Sequence, residues 1–585
     1  MDRRWRRAHV GGALAACTLV AAPGLARAGE AGEPVVFPNI QINQDFVPGR
    51  THSEPQLSID PTNPDVLAVA EAEFQTSDCH VFISRDGGRT WAPTAADPVP
   101  PEYKSCARPS FGPFIASKFG ADGTLYVAAT GAESATNSGP TDPYVARSSD
   151  LGATWQFTVI KHAEERAFKK PDGSEVRDVE RFNYTRMATH PTDPNIVYAG
   201  FRRQGAFMPT SEVSERSVVA VSSDGGRSFG APIDVFESFP LTDVKGTDAP
   251  AMSIDAKGTV YAFTKERPPA APPGGAPTQD PLPLPPGPAN TCKAASSAPN
   301  APAWKPTPAS TAPPQAGKPG AGARLLMSKS TDGGKTWQGS VVDTSGIVCV
   351  PCLTTPETAI DIRTGTVYVA FEQSDQGPPN PRDDRDIWFM KSSDGGATWT
   401  KKMRLNDDTV ASRNPNYDQM FPAISVASNG RIDVAWWDFR SDGTFNPSGN
   451  GNTTRRDETC FDIYYTSSSD GGTTWAKNSR ISDRTMNQNE GFAMNLAYDL
   501  RGPIGLASGE DEAYVAWSDS RNGRVDLPTE DLYFTEVSYE PETEPANNGL
   551  NWSVLLGIGI GAVGAAGAFL LAGRSRSRQP KPVSG

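Results

Sequence analysis

The segment Ser84-Arg85-Asp86-Gly87-Gly88-Arg89-Thr90-Trp91 is one of six copies of the pattern Ser-x-Asp-x-Gly-x-(Ser/Thr)-(Trp/Phe) in this chain. The aspartate can accept hydrogen bonds from backbone N–H groups further along the turn, and the glycine allows a positive φ. The final aromatic residue supplies a large apolar anchor. We therefore predict a structural turn in each copy, and not a ligand site. The six aspartates are Asp86, Asp150, Asp224, Asp332, Asp394 and Asp470.

Short runs of alternating or apolar residues, rich in β-branched and aromatic side chains, precede these turns. Val367–Gln373 and Asp386–Ser393 are examples, and their period of two indicates β-strands. Two kinds of strand, one like Val-Tyr-Val-Ala and one leading into the turn, each occur seven times. The last, Asp531–Val537, has no turn pattern after it. Repetition of this kind indicates a repeat architecture, and seven units fit better than six.

The six segments resemble Asp-boxes, also called bacterial neuraminidase repeats, and residues 35–540 resemble the sialidase-like β-propellers. The resemblance implies an all-β, seven-bladed β-propeller with six Asp-boxes. The seventh blade lacks its own outer strand, and Val35–Asn43 resembles segments that follow other boxes, such as Lys402–Asn406. We predict that this N-terminal segment pairs there and closes the ring, which leaves no free sheet edge. Enzymes and non-enzymes share the box, so it implies little about activity.

A Pro- and Ala-rich insertion at 267–322 interrupts the fourth blade, and its composition predicts disorder or polyproline II structure. Six cysteines remain if Cys17 leaves with a signal peptide, and an even number in an exported chain permits disulfides. Their pairing cannot be deduced from the sequence. They are Cys79, Cys106, Cys292, Cys349, Cys352 and Cys460.

The two ends of the chain predict export and membrane anchoring. Residues 1–28 have an Arg-rich head, an apolar run and an Ala-x-Ala end, which is typical of a signal peptide. A lipobox-like Leu14-Ala15-Ala16-Cys17 is the alternative processing signal. Residues 541–550 form a short stalk, and 551–573 are predicted to be a transmembrane helix, because the uncharged run can span about 30 Å. Residues 574–585 form a basic cytoplasmic tail.

The composition excludes some partners. The chain has 585 residues and a net charge of −13. Without the nine basic residues and one acidic residue of the signal and the tail, that charge becomes −21. Such acidity argues against a nucleic-acid ligand and disfavours an anionic sialoside. Gly557 and Gly561 form a GxxxG pattern, which predicts a dimerisation face on the transmembrane helix.

Loop lengths predict which face of the propeller carries the site. Short turns and the Asp-boxes share one face, whereas the longer connections, 157–180, 404–418 and 439–460, share the other. Binding residues concentrate in long loops on a rigid scaffold, so we place the candidate site on the long-loop face around the central channel. The candidates are Glu54, Arg108, Arg186, Asp248, Glu357, Asp418, Trp437, Asp438, Arg440 and Glu490.

The sialidase resemblance fails at the substrate-binding arginines. Sialidases of this fold carry an Arg-Ile-Pro-like first strand and three arginines that grip the substrate carboxylate. In four comparable strands, the residue two positions before the proline is never arginine; it is Ser53, Asp248, Thr354 or Met420. Arg108 and Arg186 lie near other first strands, but the nearby carboxylates would oppose a carboxylate ligand. Exo-sialidase activity is therefore not expected.

The repeated Trp-x-Asp-x-Arg spacing at 436–440 and 517–521 has two interpretations. The favoured one is an Asp–Arg pair that braces a loop. The other is a sugar platform, in which Trp437 stacks on the ligand while Asp438 and Arg440 form hydrogen bonds with it.

No cofactor is required by any motif. Four carboxylates could form a Ca²⁺ site, and two of them could serve as acid and base in glycoside hydrolysis; they are Glu54, Asp248, Asp418 and Glu490. The histidines show no metal-ligand spacing: His9 lies in the signal, and the others look isolated in the sequence, namely His52, His80, His162 and His190.

The leading hypothesis is a membrane-anchored extracytoplasmic propeller that binds a glycan or a protein at the cell envelope. A glycoside hydrolase of the sialidase-like superfamily is the alternative.

Overall fold

The fold is all-β, as the sequence predicts. A computed structural model describes residues 34–44, 50–73, 78–106, 115–132, 139–169, 173, 175–205, 215–237, 239, 246–267, 323–347, 355–374, 385–408, 419–440, 460–487, 504–523 and 529–539. Within these ranges there are 33 strands and no helix, and hence no helix long and apolar enough to cross a membrane. The signal, stalk, transmembrane and tail segments predicted from the sequence lie outside the described residues.

The described strands form antiparallel units in which consecutive strands pair. Unit 1 contains β3 (His52–Ile59), β4 (Leu67–Glu73), β5 (Asp78–Ser84) and β6 (Ala92–Pro93). Unit 2 contains β7 (Ala116–Phe119), β8 (Leu125–Gly131), β9 (Asp142–Ser148) and β10 (Gln156–Val159). Unit 3 contains β13 (Arg181–Thr189), β14 (Val197–Gln204), β15 (Glu215–Ser222) and β16 (Ile233–Asp234), and a separate hairpin, β11 (Glu165–Lys169) with β12 (Glu175–Val179), precedes it.

Units 4 to 6 continue the pattern. Unit 4 contains β18 (Ala251–Ile254), β19 (Val260–Arg267), β20 (Ala323–Ser330) and β21 (Gln338–Ile347), and β17 (Gly246–Thr247) links it to unit 3. Unit 5 contains β22 (Glu357–Asp361), β23 (Thr366–Ser374), β24 (Arg385–Ser392) and β25 (Met403–Arg404). Unit 6 contains β26 (Gln419–Val426), β27 (Ile432–Asp438), β28 (Cys460–Ser468), β29 (Ser479–Arg480) and β30 (Met486–Asn487). Residues 268–322 of the predicted insertion lie outside the described residues, and the flanking strands β19 and β20 pair directly.

Unit 7 is completed by the start of the chain. It contains β31 (Gly505–Ser508), β32 (Glu512–Asp519) and β33 (Asp531–Ser538), and the N-terminal strands β1 (Val35–Val36) and β2 (Ile40–Gln41) pair with β33. This pairing is the one that the sequence predicts. It puts the first described strands and the last one in the same sheet.

The first strands of the units form a closed cycle of contacts. Strand β3 contacts β7, and the contacts continue through β13, β18, β22, β26 and β31, which returns to β3. Between each pair of neighbouring units lies a cluster of buried apolar residues. In the joint between units 7 and 1, for example, Leu67 and Val69 pack with Tyr514 and Phe534. Each fully buried side chain of this kind contributes about 1.5–3 kcal/mol, so these joints are the main stabilising contacts of the ring.

The six Ser-x-Asp turns share one hydrogen-bond pattern. In the first, the Ser84 hydroxyl donates to Asp86 Oδ1 (2.8 Å), and the N–H of Thr90 donates to the same oxygen (2.9 Å). The Thr90 hydroxyl donates to Asp86 Oδ2, and the N–H of Gly88 donates to Ser84 Oγ. The equivalent bonds recur around Asp150, Asp224, Asp332, Asp394 and Asp470.

The turns also join neighbouring units. Gly88 has φ +89°, and a Cβ atom there would lie 2.2 Å from the Phe534 ring of unit 7. The Trp91 ring of the same turn packs edge-on against Phe534, with the centroids 5.2 Å apart. The turn is therefore a contact between units as well as a hairpin.

Cys79 and Cys106 form a disulfide, and Cys460 is also disulfide-bonded. Cys17, Cys292, Cys349 and Cys352 lie outside the described residues.

Candidate functional site

Charged side chains from three different units meet at the centre of the ring. Arg186 of β13 lies 3.2 Å from Glu357 of β22, measured from Nη2 to Oε1, and donates from Nη2 to Thr355 Oγ1 at 2.5 Å. Units 3 and 5 are separated by unit 4 in the cycle of contacts. The two side chains therefore meet across the central space and not within a joint. Lys118 of β7, in unit 2, is close enough to Glu357 to interact with it electrostatically.

Enclosure by the ring changes the electrostatics of these groups. Burial raises the pKa of Glu357, and the charges of Arg186 and Lys118 oppose that rise. Burial likewise lowers the pKa of Lys118, and Glu357 opposes it. Both side chains nevertheless reach solvent: Glu357 is 26% exposed, and Lys118 is exposed. Groups that are surrounded by protein and still solvent-accessible are available to a ligand that enters the channel.

Three of the first strands contain a β-bulge with a strained residue. Glu54, Tyr184 and Phe421 have φ values of 58°, 53° and 54°, and the strand register shifts at each of them. A positive φ is unfavourable for residues with a Cβ atom, and bulges are frequent next to functional sites because they redirect side chains. The bulges therefore change the direction of side chains on three of the strands that surround the central space.

Two of the predicted carboxylates are buried away from solvent. Asp248 is 0% exposed, and its Oδ1 lies 3.5 Å from Nη1 of Arg202. The Arg202 guanidinium also donates to Asn183 and stacks over the Tyr184 ring at 3.8 Å. Glu54 is 2% exposed. Asp248 therefore belongs to a buried network that holds units 3 and 4 together.

The Trp-x-Asp-x-Arg segments form braces. Arg440 makes two hydrogen bonds to the Asp438 carboxylate, which also accepts one from the Trp436 indole at 2.8 Å. A similar arrangement recurs at Trp517, Asp519 and Arg521, where the guanidinium donates to the carboxylate from Nη2. Trp437 is 2% exposed and stacks on Phe461, with the centroids 4.2 Å apart. The Trp437 ring thus lies in the core, and no exposed face is available for a sugar.

The remaining predicted site residues, Arg108, Asp418 and Glu490, lie outside the described residues. Lys118 was missed by sequence reasoning. Its signal is a single lysine inside the short apolar strand Ala116–Phe119.

A second polar cluster on unit 1 corrects the expectation that the histidines are isolated. Strand pairing places His52 opposite Glu73, Glu73 opposite Asp78, and Glu71 opposite His80. Directly opposed residues share one face of a sheet. We call these five residues the unit 1 cluster. Burial alone would lower the pKa of His80, but a hydrogen bond to Asp97 and the nearby carboxylates of Glu73 and Glu71 raise it to about 11.

The histidines looked isolated because their partners are up to 28 positions away in the sequence, and only the pairing of β3, β4 and β5 brings them together. Alternation of Glu71 with Glu73, and of Asp78 with His80, is the signal that could have indicated the cluster.

No protein-family model matches the chain, and no curated protein matches it. Among solved structures, the chain is similar to the Hadza microbial sialidase Hz136, with 12% identity, 82% of this chain and 74% of that chain covered, and a TM-score of 0.38. It is also similar to an α-L-arabinanase of Penicillium chrysogenum complexed with arabinobiose (11% identity, 86% and 99% covered, TM-score 0.40). A third similar structure is an α-L-arabinofuranosidase from Fusarium graminearum, with 12% identity, 77% of this chain and 99% of that chain covered, and a TM-score of 0.37. No residue role is carried over from these proteins.

Proposed function

We propose that the protein is an exported, membrane-anchored, seven-bladed β-propeller that binds a carbohydrate or a protein at the centre of its ring. The closed cycle of first-strand contacts and the pairing of β1 and β2 with β33 support a propeller closed by its N-terminal segment. The signal at 1–28 and the apolar run at 551–573 support export and anchoring.

One observation carries the binding proposal: Arg186 and Glu357, from two units, meet across the central space. Lys118, from a third unit, is close enough to Glu357 to interact with it electrostatically. Together they offer a guanidinium fork, a carboxylate and an ammonium group, that is, donors and an acceptor within one enclosure. A concave site with a few converging polar groups is the usual form of a small-molecule or glycan site. The ion pair with Glu357 also holds Arg186 in place, which reduces the entropy lost on binding.

The charges favour a neutral ligand over an anionic one. The Glu357 carboxylate already forms an ion pair with the Arg186 guanidinium at 3.2 Å, so a ligand carboxylate would have to displace Glu357. The net charge of −21 outside the signal and tail adds long-range repulsion. Hydroxyl groups of a neutral glycan could instead bridge Lys118 and Glu357.

A glycoside hydrolase is the second candidate, and the raised pKa of Glu357 favours it. A general acid in glycoside hydrolysis has such a pKa, but the reaction also needs a second carboxylate about 5–9.5 Å away. Among the described carboxylates named above, Asp248 and Glu54 are buried. Asp418 and Glu490, which the sequence predicts as site residues and which lie outside the described residues, are the proposed candidates for the second group. Neither proposed activity requires a cofactor, and a Ca²⁺ ion held by carboxylates among Glu54, Asp248, Asp418 and Glu490 is a secondary proposal.

A ligand screen separates the two candidates. The full-length protein, purified in detergent, is applied to a glycan array rich in neutral oligosaccharides, used to capture cell-envelope proteins, and assayed with a panel of chromogenic glycosides that includes a sialoside. The binding proposal predicts retained ligands without turnover, and a Lys118→Ala variant that loses them. Turnover that disappears in Glu357→Gln would instead establish the hydrolase. The proposal would be refuted if the screen found neither a glycan nor a protein ligand.

Anchoring is tested separately. Removal of residues 551–585 is expected to release the protein from the membrane fraction, and protease added outside intact cells should digest the untruncated protein. A truncated chain that stays in the membrane would contradict the proposed anchor.

A further inference from the structure

We propose that the unit 1 cluster binds one divalent transition-metal ion. Three of its residues, Glu73, Asp78 and His80, have donor atoms close enough to share an ion. Glu71 and His52 lie beside them on the same face of the sheet. This site is separate from the central group around Arg186, and it is independent of the proposed function.

The distances fit a shared ion. Ligand atoms of Glu73, Asp78 and His80 all lie within 4.8 Å of one another, and His80 Nε2 is 3.7 Å from Glu73 Oε2. Two ligand atoms bound to one zinc ion, each about 2.1 Å from it, are about 3.4 Å apart in a tetrahedral site. Small rotations of partly exposed side chains close the remaining difference, since Asp78 and His80 are not fully buried.

Glu71 supplies an independent indication of a cation. Its side chain is 0% exposed, and neither carboxylate oxygen accepts a hydrogen bond among the described residues. Oε1 lies 3.0 Å from His52 Nδ1, and Glu71 pairs directly with His80 across the sheet. A carboxylate that is buried without hydrogen bonds is strongly unfavourable unless a cation compensates its charge.

His80 has the orientation of a metal ligand. Its Nδ1 is 3.1 Å from Asp97 Oδ1, and the Asp97 carboxylate is 56% exposed. Nε2 faces Glu73 and makes no hydrogen bond among the described residues. Metal-binding histidines usually donate their other ring nitrogen to a carboxylate, which fixes the ring for coordination.

The donor set selects the class of ion. Imidazole ligands favour Zn²⁺ and related transition metals, whereas Ca²⁺ and Mg²⁺ prefer oxygen ligands only. Cys79, between Asp78 and His80, is held in a disulfide and offers no thiolate. Zn²⁺ and Mn²⁺ are therefore the expected ions, and Ca²⁺ is the expected non-binder.

Arg50 competes with the ion. Its Nη1 lies 3.2 Å from Glu73 Oε2, and its side chain is 37% exposed. Because the guanidinium is close to solvent, it can leave Glu73 without burying its own charge. Removing it should strengthen metal binding, an effect that a purely structural ion pair would not produce.

The position of the cluster gives the ion a structural role. Leu67 and Val69 occupy alternate positions on the same face of β4 as Glu71, and they pack on unit 7. The N–H of His52 donates to the carbonyl of Glu530, also in unit 7, at 3.0 Å. A bound ion would therefore stabilise the joint at which the ring closes.

Direct metal binding tests this proposal. The full-length protein is freed of metal with a chelator, dialysed against Zn²⁺, Mn²⁺ or Ca²⁺, and analysed by elemental mass spectrometry and by thermal unfolding. We expect about one Zn²⁺ or Mn²⁺ per chain, a thermal midpoint that rises with metal concentration, and no rise with Ca²⁺. His80→Gln should weaken binding by more than about tenfold, and Arg50→Ala should strengthen it.

His162→Gln is the matched control, because His162 is 80% exposed and pairs with Asp142 outside the cluster. Asp78→Asn is a second variant at a partly exposed position, and it should also weaken binding, which keeps the test valid if His80→Gln fails to fold. Absence of bound Zn²⁺ and Mn²⁺, or equal binding by His80→Gln and His162→Gln, would overturn the proposal.

Discussion

Because the N-terminal segment closes the ring, Asn43 should contribute as much to the stability of the protein as a residue inside a continuous unit. Its Oδ1 accepts a hydrogen bond from the N–H of Leu532 at 2.7 Å, and its Nδ2 donates to Asp531 Oδ1 at 2.8 Å. Asn43 is 0% exposed. In unit 5, Asn406 makes the same two bonds, to the N–H of Ile387 (3.0 Å) and to Asp386 Oδ1 (2.7 Å).

The expected cost of Asn43→Ala follows from these contacts. The substitution leaves a buried N–H group without a partner, which costs about 1–3 kcal/mol, and removes a hydrogen bond to a carboxylate, worth about 1.5–3 kcal/mol. We expect the free energy of unfolding to fall by about 3–5 kcal/mol. Asn406→Ala should cost a similar amount or more, because Asn406 also donates to Gln419.

Urea unfolding followed by tryptophan fluorescence measures both variants, and hydrogen exchange at the Leu532 amide reports the local effect in Asn43→Ala. If the free energy of unfolding fell by less than about 0.5 kcal/mol in Asn43→Ala but by a large amount in Asn406→Ala, the N-terminal strands would pair with the last unit without stabilising it. That result would refute the reasoning on ring closure, because surface substitutions have effects of this small size.

Three further predictions concern the turns and the disulfide. Gly88→Ala should destabilise the protein more than Gly333→Ala does in thermal unfolding, because both residues have positive φ but only Gly88 would place its Cβ atom within 2.2 Å of a ring; equal losses would contradict this. Hydrogen bonds, chiefly from the Thr or Ser hydroxyl four residues on, lower the pKa of four turn aspartates to about 2, from an ordinary 3.8. These carboxylates should therefore stabilise the protein above about pH 4, and that stabilisation should be lost as the pH falls through 2. In calorimetry at decreasing pH, Asp150→Asn should lose less unfolding free energy than the wild type; an equal loss in the two proteins would contradict this prediction. Replacing both Cys79 and Cys106 by serine removes a disulfide that spans 27 residues and leaves the one at Cys460 in place. It should cost about 3.5 kcal/mol in urea unfolding, and an unchanged midpoint would mean that the bond is not stabilising.

Local chemistry made much of the fold predictable. The Ser-x-Asp turns and the alternating strands depend on residues close together in sequence, and the likeness of Val35–Asn43 to Lys402–Asn406 predicted the pairing with β33. In both segments an Asn side chain accepts a hydrogen bond from the backbone of the strand with which the segment pairs.

The site was less predictable because it depends on contacts across the ring. Arg186 and Glu357 are 171 residues apart, and the pattern of single strands does not reveal that they meet. Trp437 looked like a ligand platform because the sequence shows its ring but not the Phe461 ring that covers it. Glu71 and His80 became neighbours only through the register of β4 and β5.

Calorimetric titration of a neutral glycan from the array into the protein tests the central claim most directly. The variants are Lys118→Ala and Glu357→Gln at the centre of the ring, with Lys257→Ala, in an exposed turn of unit 4, as the matched control. We expect affinity to fall by at least about tenfold in each central variant, which corresponds to about 1.4 kcal/mol, and to be unchanged in the control. Wild-type affinity in both central variants would contradict a binding site at the centre of the ring.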